Sequence, residues 1–259
     1  MVTRILGFIY GVVCYLTFFV TFLYAIGFVG GGNLYGAGKP LIVPRSIDLA
    51  PGRAESLTLR LIIDALLLSL FAIQHSVMAR AWFKRKWTQV VSPALERSTY
   101  VLIASLILLL LFWQWRPLGL ARVAWDVQNP TVRLVLQGLF WLGWLLVLIS
   151  TFLIDHFELF GLKQVIHYLK GTEPAPHTFK TPGLYKGVRH PLYLGFIIAF
   201  WSTPRMSMGH LFFAGMTTAY ILVAIQFEER DMIRAFGEKY EDYRKHVSML
   251  APIKFWKGE

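Results

Sequence analysis

The chain has 259 residues, of which 56% are hydrophobic and only 16% are charged. Because soluble domains carry about 25% charged residues, this composition excludes an ordinary soluble protein and predicts a polytopic membrane protein. The net charge of +11 is attributed to basic residues that flank membrane spans, so no nucleic-acid partner is expected. The single cysteine excludes a disulfide framework.

The first two apolar runs, residues 5–29 and 57–79, are each long enough to span a membrane. The Gly- and Pro-rich stretch between them, residues 30–56, is interpreted either as a flexible connector or as a lid over a pocket. The second span contains Asp64 and His75, whose spacing places them on one face of a helix. Polar residues inside a span often mark function, although neighbouring helices can equally satisfy both of them.

The third and fourth spans are predicted at residues 99–115 and 132–154. The leucine run of the third span is typical of a helix that faces lipid. The loop before it is the most basic short loop of the chain, and the positive-inside rule therefore places it in the cytoplasm. With this orientation the N-terminus and the polar segment of residues 155–189 are cytoplasmic as well.

The last apolar block, residues 191–227, is too long for one span of about 20 residues. Pro204 interrupts it, so we predict a helical hairpin of residues 191–201 and 208–227. Its second helix is expected to continue as far as Gly237, after which an amphipathic helix folds back over the last turns. The predicted fold is an all-α integral membrane protein with four transmembrane helices plus a C-terminal hairpin, five to six spans in total.

Two polar clusters lie at the base of this hairpin. Arg189 and His190 precede its first helix, and Glu228 and Glu229 follow the apolar part of its second. A helix N-terminus favours an anion, whereas carboxylates favour an amino group or ribose hydroxyls. Adjacent helical residues point about 100° apart, so only one of the two glutamates is expected to face the site. An amino acid joined to a nucleoside fits these groups, and so does a lipid headgroup; interfacial residues without a ligand are the remaining alternative.

The amino-acid sequence around both clusters is more informative than their charge. Residues 177–191 read H-T-F-K-T-P-G-L-Y-K-G-V-R-H-P, and residues 228–247 read E-E-R-D-M-I-R-A-F-G-E-K-Y-E-D-Y-R-K-H-V. Both resemble the C-terminal cofactor segments of the isoprenylcysteine carboxyl methyltransferases and their bacterial relatives. The resemblance implies S-adenosylmethionine as the cofactor, bound at the cytoplasmic face. The residues that it implies for binding are His177, Thr178, Phe179, Lys180, Tyr185, Arg189, His190, Pro191, Tyr193, Glu228 and Glu229.

The chain departs from the prenylcysteine enzymes in two respects. Their arginine five residues before the aligned Glu229 is Ala224 here, so a free carboxylate substrate is not expected. The motifs Q-H-S-V-M-A-R at residues 74–80 and D-H-F-E-L-F-G-L at residues 155–162 instead resemble the NnrU-type branch. Within that branch they are similar to those of enzymes that methylate methanethiol, a small volatile thiol, to dimethyl sulfide.

This resemblance implies two domains in the inner membrane of a bacterium. Residues 1–130 would form an NnrU-like N-terminal domain on the substrate side, and residues 131–259 would bind S-adenosylmethionine. Rival hypotheses are a methyltransferase that acts on a lipid or a prenyl-thiol, and a haem-binding membrane protein with His75 and His156 as axial ligands.

The sequence identifies the catalytic residues less clearly than the residues that bind the cofactor. An alkyl thiol must lose its proton before it attacks a sulfonium, and His75, Asp155 and His156 lie at the cytoplasmic ends of spans, where each is a candidate base. A reaction without a dedicated base is a further alternative, because the sulfonium charge itself favours the thiolate. The seven histidines show no zinc-binding spacing, so no metal is expected.

Overall fold

The described part of the chain is mostly helical. The computed structural model describes residues 1–31, 43–50, 55–119, 123–173 and 178–251. Its helices are α1 (Val2–Gly30), α2 (Leu57–Met78), α3 (Ala81–Trp87), α4 (Pro93–Gln114), α5 (Pro130–Ile154), α6 (His156–Leu159), α7 (Leu162–Lys170), α8 (Pro191–Trp201), α9 (Met208–Phe236) and α10 (Glu238–His246), with a 3₁₀ turn at Gly183–Lys186. Two short strands, β1 (Val123–Asp126) and β2 (Arg205–Ser207), pair with each other as a local addition to this all-α fold.

Five helices, α1, α2, α4, α5 and α9, are long and apolar enough to cross a membrane, and α8 is a shorter apolar helix. The chain is therefore an integral membrane protein with the predicted four spans plus a C-terminal hairpin. The predicted ends agree closely with the structure except at α4, which begins at Pro93 instead of residue 99. Proline suits the first turn of a helix, and Glu96 is favourable there too, so the polar residues before 99 belong to the helix.

The chain divides into two compact units. Unit 1 comprises Met1–Trp125, Phe157–Ala175 and Met206–His210; unit 2 comprises Asp126–His156, Pro176–Arg205 and Leu211–Glu259. Unit 1 is centred on α4, which packs against α1, α2 and α7. The expectation that α4 simply faces lipid is therefore wrong. Its leucine run hid the buried side because a helix between lipid and protein is apolar all round.

The two polar residues of α2 lie on one face, as predicted. Asp64 is fully buried and accepts a hydrogen bond from the backbone N–H of Arg116, just after α4 (2.8 Å). His75 lies about 16 Å further along the helix, with its Nδ1 2.9 Å from the hydroxyl of Tyr100 on α4. Asp64 therefore links α2 to the end of α4. Of the two alternatives for this residue, the structure supports satisfaction by a neighbouring element.

Part of the Gly- and Pro-rich stretch after α1 is also fastened to unit 1. The backbone N–H of Ile47 donates to Phe28 O (3.1 Å), and the indole Nε1–H of Trp115 donates to Ile47 O (3.0 Å). Both Ile47 and Ser46 are buried. Residues 43–50 are thus packed against the ends of α1 and α4, whereas residues 32–42 and 51–54, where a lid or connector was also considered, lie outside the described residues.

Unit 2 is built on a close contact between α5 and α8. A Cβ atom on Gly195 would lie 2.7 Å from the backbone oxygen of Gly143, and one on Gly143 would lie 2.5 Å from the backbone nitrogen of Ala199. These small residues let the two backbones touch, as in helix pairs that associate in lipid. The contact holds α8 against α5, and with it the polar segment that leads into α8.

The hairpin and its fold-back helix are confirmed. Trp201 at the end of α8 donates from Nε1 to Thr218 Oγ1 on α9 (2.9 Å). Helix α9 ends at Gly237, whose φ of 55° is a conformation that favours glycine. After this turn α10 packs back onto α9. Its buried stripe of Tyr240, Tyr243 and Val247 contacts Met232, Ile233 and Phe236.

Candidate active site

Glu229 is the centre of the polar cluster in unit 2. Its side chain is 8% exposed, and its Oε1 lies 2.7 Å from Arg189 Nε and 3.1 Å from His190 Nε2. Arg244 on α10 adds a longer ion pair, 3.8 Å from Nη1 to Oε2. A carboxylate this buried is tolerated only when it is paired and hydrogen-bonded. The two polar clusters identified in the sequence therefore meet through Glu229, and His190 and Glu229 are both buried.

Glu228 also faces α8. The hydroxyl of Tyr193 donates a hydrogen bond to Glu228 Oε2 (2.8 Å). The expectation that only one of the two glutamates would face the site is therefore wrong. Tyr193 lies nearly one turn after His190, so α8 presents partners to both carboxylates, and the long glutamate side chains span the angle between adjacent positions.

Arg189 ties the cluster to the end of α10. Besides its bond to Glu229, Nη1 donates to the backbone oxygens of Arg244 (3.2 Å) and of Val247. The guanidinium therefore satisfies a side chain of α9 and two carbonyls at the C-terminal end of α10 at once. Arginine suits this task because its donors point in several fixed directions.

The backbone N–H groups of the two residues before α8 also make hydrogen bonds. The N–H of Arg189 donates to Ser248 O (2.9 Å), and the N–H of His190 donates to Met249 O (3.2 Å). These two groups hold the residues after α10 in place. Both groups precede the first turn of α8, so the expectation that this helix N-terminus favours an anion stays a prediction.

An aromatic group covers one side of the cluster. The ring of Phe179 lies 5.4 Å from that of Tyr243 and 5.8 Å from that of Tyr240, and the Tyr243 hydroxyl donates to Tyr185 O. Burial, and then the nearby Glu228 carboxylate, raise the pKa of Tyr185 far above its usual value. Burial likewise raises the pKa of Tyr240 and of Tyr243. These phenols are therefore neutral at physiological pH and present uncharged aromatic faces.

The other predicted cofactor residues differ in exposure. Pro191 is buried as the first residue of α8, whereas Thr178 and Lys180 are exposed in the segment before the 3₁₀ turn. His177 lies outside the described residues.

The candidate bases fall in different units. His156 and Asp155 belong to unit 2, where His156 is 6% exposed and its Nδ1 lies 2.9 Å from Thr151 Oγ1. His75 belongs to unit 1, where it contacts Tyr100 and stacks on Phe71 with ring centroids 5.1 Å apart.

Sequence reasoning missed the partners of these histidines, Tyr100 and Thr151. The only signal for Thr151 was a polar residue in the last apolar turn before a histidine, which a helix often satisfies on its own backbone.

Replacing Arg189 with lysine is expected to destabilise unit 2. Lysine keeps the charge but cannot reach Glu229 and the two carbonyls together, so hydrogen bonds to a charged group are lost at about 1.5–3 kcal/mol each. We expect a clear fall in the melting temperature of the detergent-purified protein. The matched control is Arg234→Lys, because the Arg234 side chain is 80% exposed. Equal melting temperatures for the two variants would contradict the role assigned to Arg189.

The chain is similar to one protein family and to several named proteins. Residues 60–247 match the family described as protein of unknown function DUF1295. Methanethiol S-methyltransferase 1 of Bradyrhizobium diazoefficiens is 55% identical over 249 residues, covering 96% of this chain and 83% of the relative. Methanethiol S-methyltransferase of Mycobacterium tuberculosis is 53% identical, covering 96% of this chain and 97% of the relative. Nurim of Bos taurus is 30% identical, covering 78% of each chain. No solved structure matches the chain significantly.

Proposed function

We propose that this chain, which belongs to the DUF1295 family and to the family of methanethiol S-methyltransferases, transfers a methyl group from S-adenosylmethionine to methanethiol. The product is dimethyl sulfide. The observation that carries the donor and its site is the paired cluster around Glu229, because its residues are those that the cofactor segment of the isoprenylcysteine carboxyl methyltransferases implies.

The chemistry of the cluster suits this donor. When bound, S-adenosylmethionine supplies an electrophilic methyl group on a positively charged sulfur. Glu228 is half-buried and suits an amino group or ribose hydroxyls. The neutral rings of Tyr185 and Tyr193 suit the positive sulfur, since aromatic faces attract cations. Glu229 keeps Arg189 and His190 in position through its bonds to both.

The proposed reaction needs a deprotonated acceptor and correct alignment. Methanethiol loses its S–H proton to a base, and the thiolate sulfur attacks the methyl carbon opposite the breaking bond. The new C–S bond forms while the old one breaks, and the electron pair of the old bond stays with S-adenosylhomocysteine. Positioning and exclusion of water supply most of the acceleration in such a transfer. His75, Asp155 and His156 are the proposed candidates for the base.

We place the site and both termini on the cytoplasmic side of a bacterial inner membrane. The support is the loop that contains α3, where Arg80, Lys84, Arg85 and Lys86 are close together in sequence. We assign donor binding to residues 131–259 and acceptor choice to residues 1–130. An apolar, volatile thiol can reach such a site through the bilayer.

The proposal is tested by supplying purified protein and S-adenosylmethionine with methanethiol, a prenyl-thiol or a phospholipid. We expect dimethyl sulfide in the headspace with methanethiol and no methylated product with the other two. A folded protein that binds S-adenosylmethionine, methylates the prenyl-thiol or the lipid, and releases no dimethyl sulfide would contradict the proposed acceptor.

A further inference from the structure

We propose that Thr151 is a positioning residue that fixes His156 in its Nδ1–H tautomer, and that His156 Nε2 takes the proton of the acceptor thiol. The base role rests on the function proposed above. The tautomer assignment does not, because it follows from hydrogen bonds within unit 2.

The hydroxyl of Thr151 determines which nitrogen of His156 carries hydrogen. Thr151 Oγ1 lies 2.7 Å from the backbone oxygen of Leu148 and 2.9 Å from His156 Nδ1. A carbonyl oxygen can only accept, so the single hydroxyl hydrogen is donated to Leu148 O. Towards His156 the hydroxyl oxygen must then accept, and Nδ1 must donate. The neutral ring therefore carries its lone pair on Nε2.

The orientation of the ring is fixed as well. The His156 ring stacks on Phe152 with a centroid distance of 4.3 Å and an angle of only 5° between the planes. Thr151 and Phe152 both lie in the last turn of α5, which ends just before Asp155. One contact fixes the ring plane and the other fixes its rotation, so Nε2 points in one defined direction. A fixed imidazole is what proton transfer requires, because the base must lie within hydrogen-bond reach of its proton.

The charge state of His156 agrees with this role. Burial lowers the pKa of His156 more than the neighbouring Asp155 carboxylate raises it, so the neutral imidazole predominates at neutral pH. The neutral form is the one that accepts a proton. After transfer, the imidazolium donates from Nδ1 to Thr151 Oγ1 and is favoured by the Asp155 charge, and the proton then passes to solvent.

Unit 2 brings the end of α5, which precedes this histidine, next to the donor segment. The 3₁₀ turn Gly183–Lys186 contacts α5, and a Cβ atom on Gly183 would lie 3.2 Å from a methyl carbon of Leu153. Tyr185, one of the proposed donor residues, belongs to that turn. The end of α5 and the donor segment are therefore neighbours within one compact unit.

The test compares two acceptors that differ in acidity. Methanethiol needs a base, whereas 2,2,2-trifluoroethanethiol is acidic enough to supply its thiolate with less help. We expect His156→Gln to lower kcat with methanethiol by roughly 10²-fold, as for loss of a general base. Thr151→Val should lower it about tenfold, as for one lost hydrogen bond. Most of both losses should disappear with the acidic thiol, while the calorimetric affinity for S-adenosylmethionine stays unchanged.

The matched control is Thr217→Val. Thr217 on α9 makes the same kind of bond to its own helix, 2.7 Å from Oγ1 to Phe213 O, and should leave kcat unchanged with either thiol. Equal losses with both thiols in the His156 and Thr151 variants would overturn the base role and leave only a structural one. An unchanged kcat in Thr151→Val would overturn its positioning role.

A measurement without turnover tests the tautomer directly. In protein labelled with ¹⁵N-histidine, we expect the resonances of His156 to show the Nδ1–H form in the wild type and a shift toward the Nε2–H form in Thr151→Val. An Nε2–H wild type would overturn the assignment. If the wild type has the expected tautomer but makes no dimethyl sulfide, the proposed function is wrong, and the base role with it. If the wild type is active but the variants lose the same fraction of kcat with both thiols, the base role alone is wrong.

Discussion

Replacing Glu229 with alanine is expected to weaken binding of S-adenosylmethionine strongly. Glu229 is the shared partner of Arg189 and His190, with bonds of 2.7 and 3.1 Å. Removing it leaves a nearly buried guanidinium without its carboxylate, a change that destabilises such sites by about 3–5 kcal/mol. If this loss appears in the free energy of donor binding, the affinity falls by roughly 10²-fold or more, because 1.4 kcal/mol is a factor of ten.

Isothermal calorimetry of detergent-purified protein measures this effect. Asp231→Ala is the control, since it removes a carboxylate from the same helix whose side chain is 43% exposed. Glu229→Gln should give an intermediate result, because an amide keeps one acceptor for Arg189 but loses the charge. If Glu229→Ala binds S-adenosylmethionine as tightly as the Asp231→Ala control, the proposed role of Glu229 in donor binding is wrong.

The second large effect is expected from Gly195→Leu at the contact between α5 and α8. Even a single Cβ atom at this position would lie 2.7 Å from a backbone oxygen of α5, which cannot move aside as a flexible side chain can. Overpacking typically destabilises by about 1–3 kcal/mol, and we expect the upper end or more because both partners are backbone. Separation of the helices would displace His190, which directly precedes α8, so donor binding should be lost too.

Gly138→Leu is the matched control for this substitution. Gly138 lies on α5, where a Cβ atom would meet nothing within 4 Å, and a leucine there would add apolar surface to an exposed position of a spanning helix. Thermal unfolding in detergent should therefore show a large fall for Gly195→Leu and little change for Gly138→Leu. Similar melting temperatures for the two variants would contradict the close helix contact.

Much of this architecture was predictable from the sequence, for identifiable reasons. The apolar block of residues 191–227 is too long for one span and contains Pro204, so only a hairpin could accommodate it. Gly237 marked the end of α9, and the stripe of Tyr240 and Tyr243 indicated the side of α10 that packs back onto α9. The meeting of His190 with Glu229 then followed from the direction of the hairpin.

Other features depend on distances that no pattern specifies. The burial of α4 was hidden because lipid and protein interiors select the same residues. The pairing of Arg189 and His190 backbone groups with Ser248 and Met249 joins residues far apart in sequence, and nothing local indicated it. The tautomer of His156 depends on a single hydroxyl hydrogen of Thr151, so it is defined only once both acceptor distances are known.

The most direct test of the proposed function follows the methyl group itself. Purified protein is given methanethiol and S-adenosylmethionine whose transferable methyl group carries three deuterium atoms, and the headspace gas is examined by mass spectrometry. The proposed transfer predicts dimethyl sulfide that carries one deuterated methyl group, formed in step with S-adenosylhomocysteine. Dimethyl sulfide without deuterium, or none from protein that binds the donor, would contradict it.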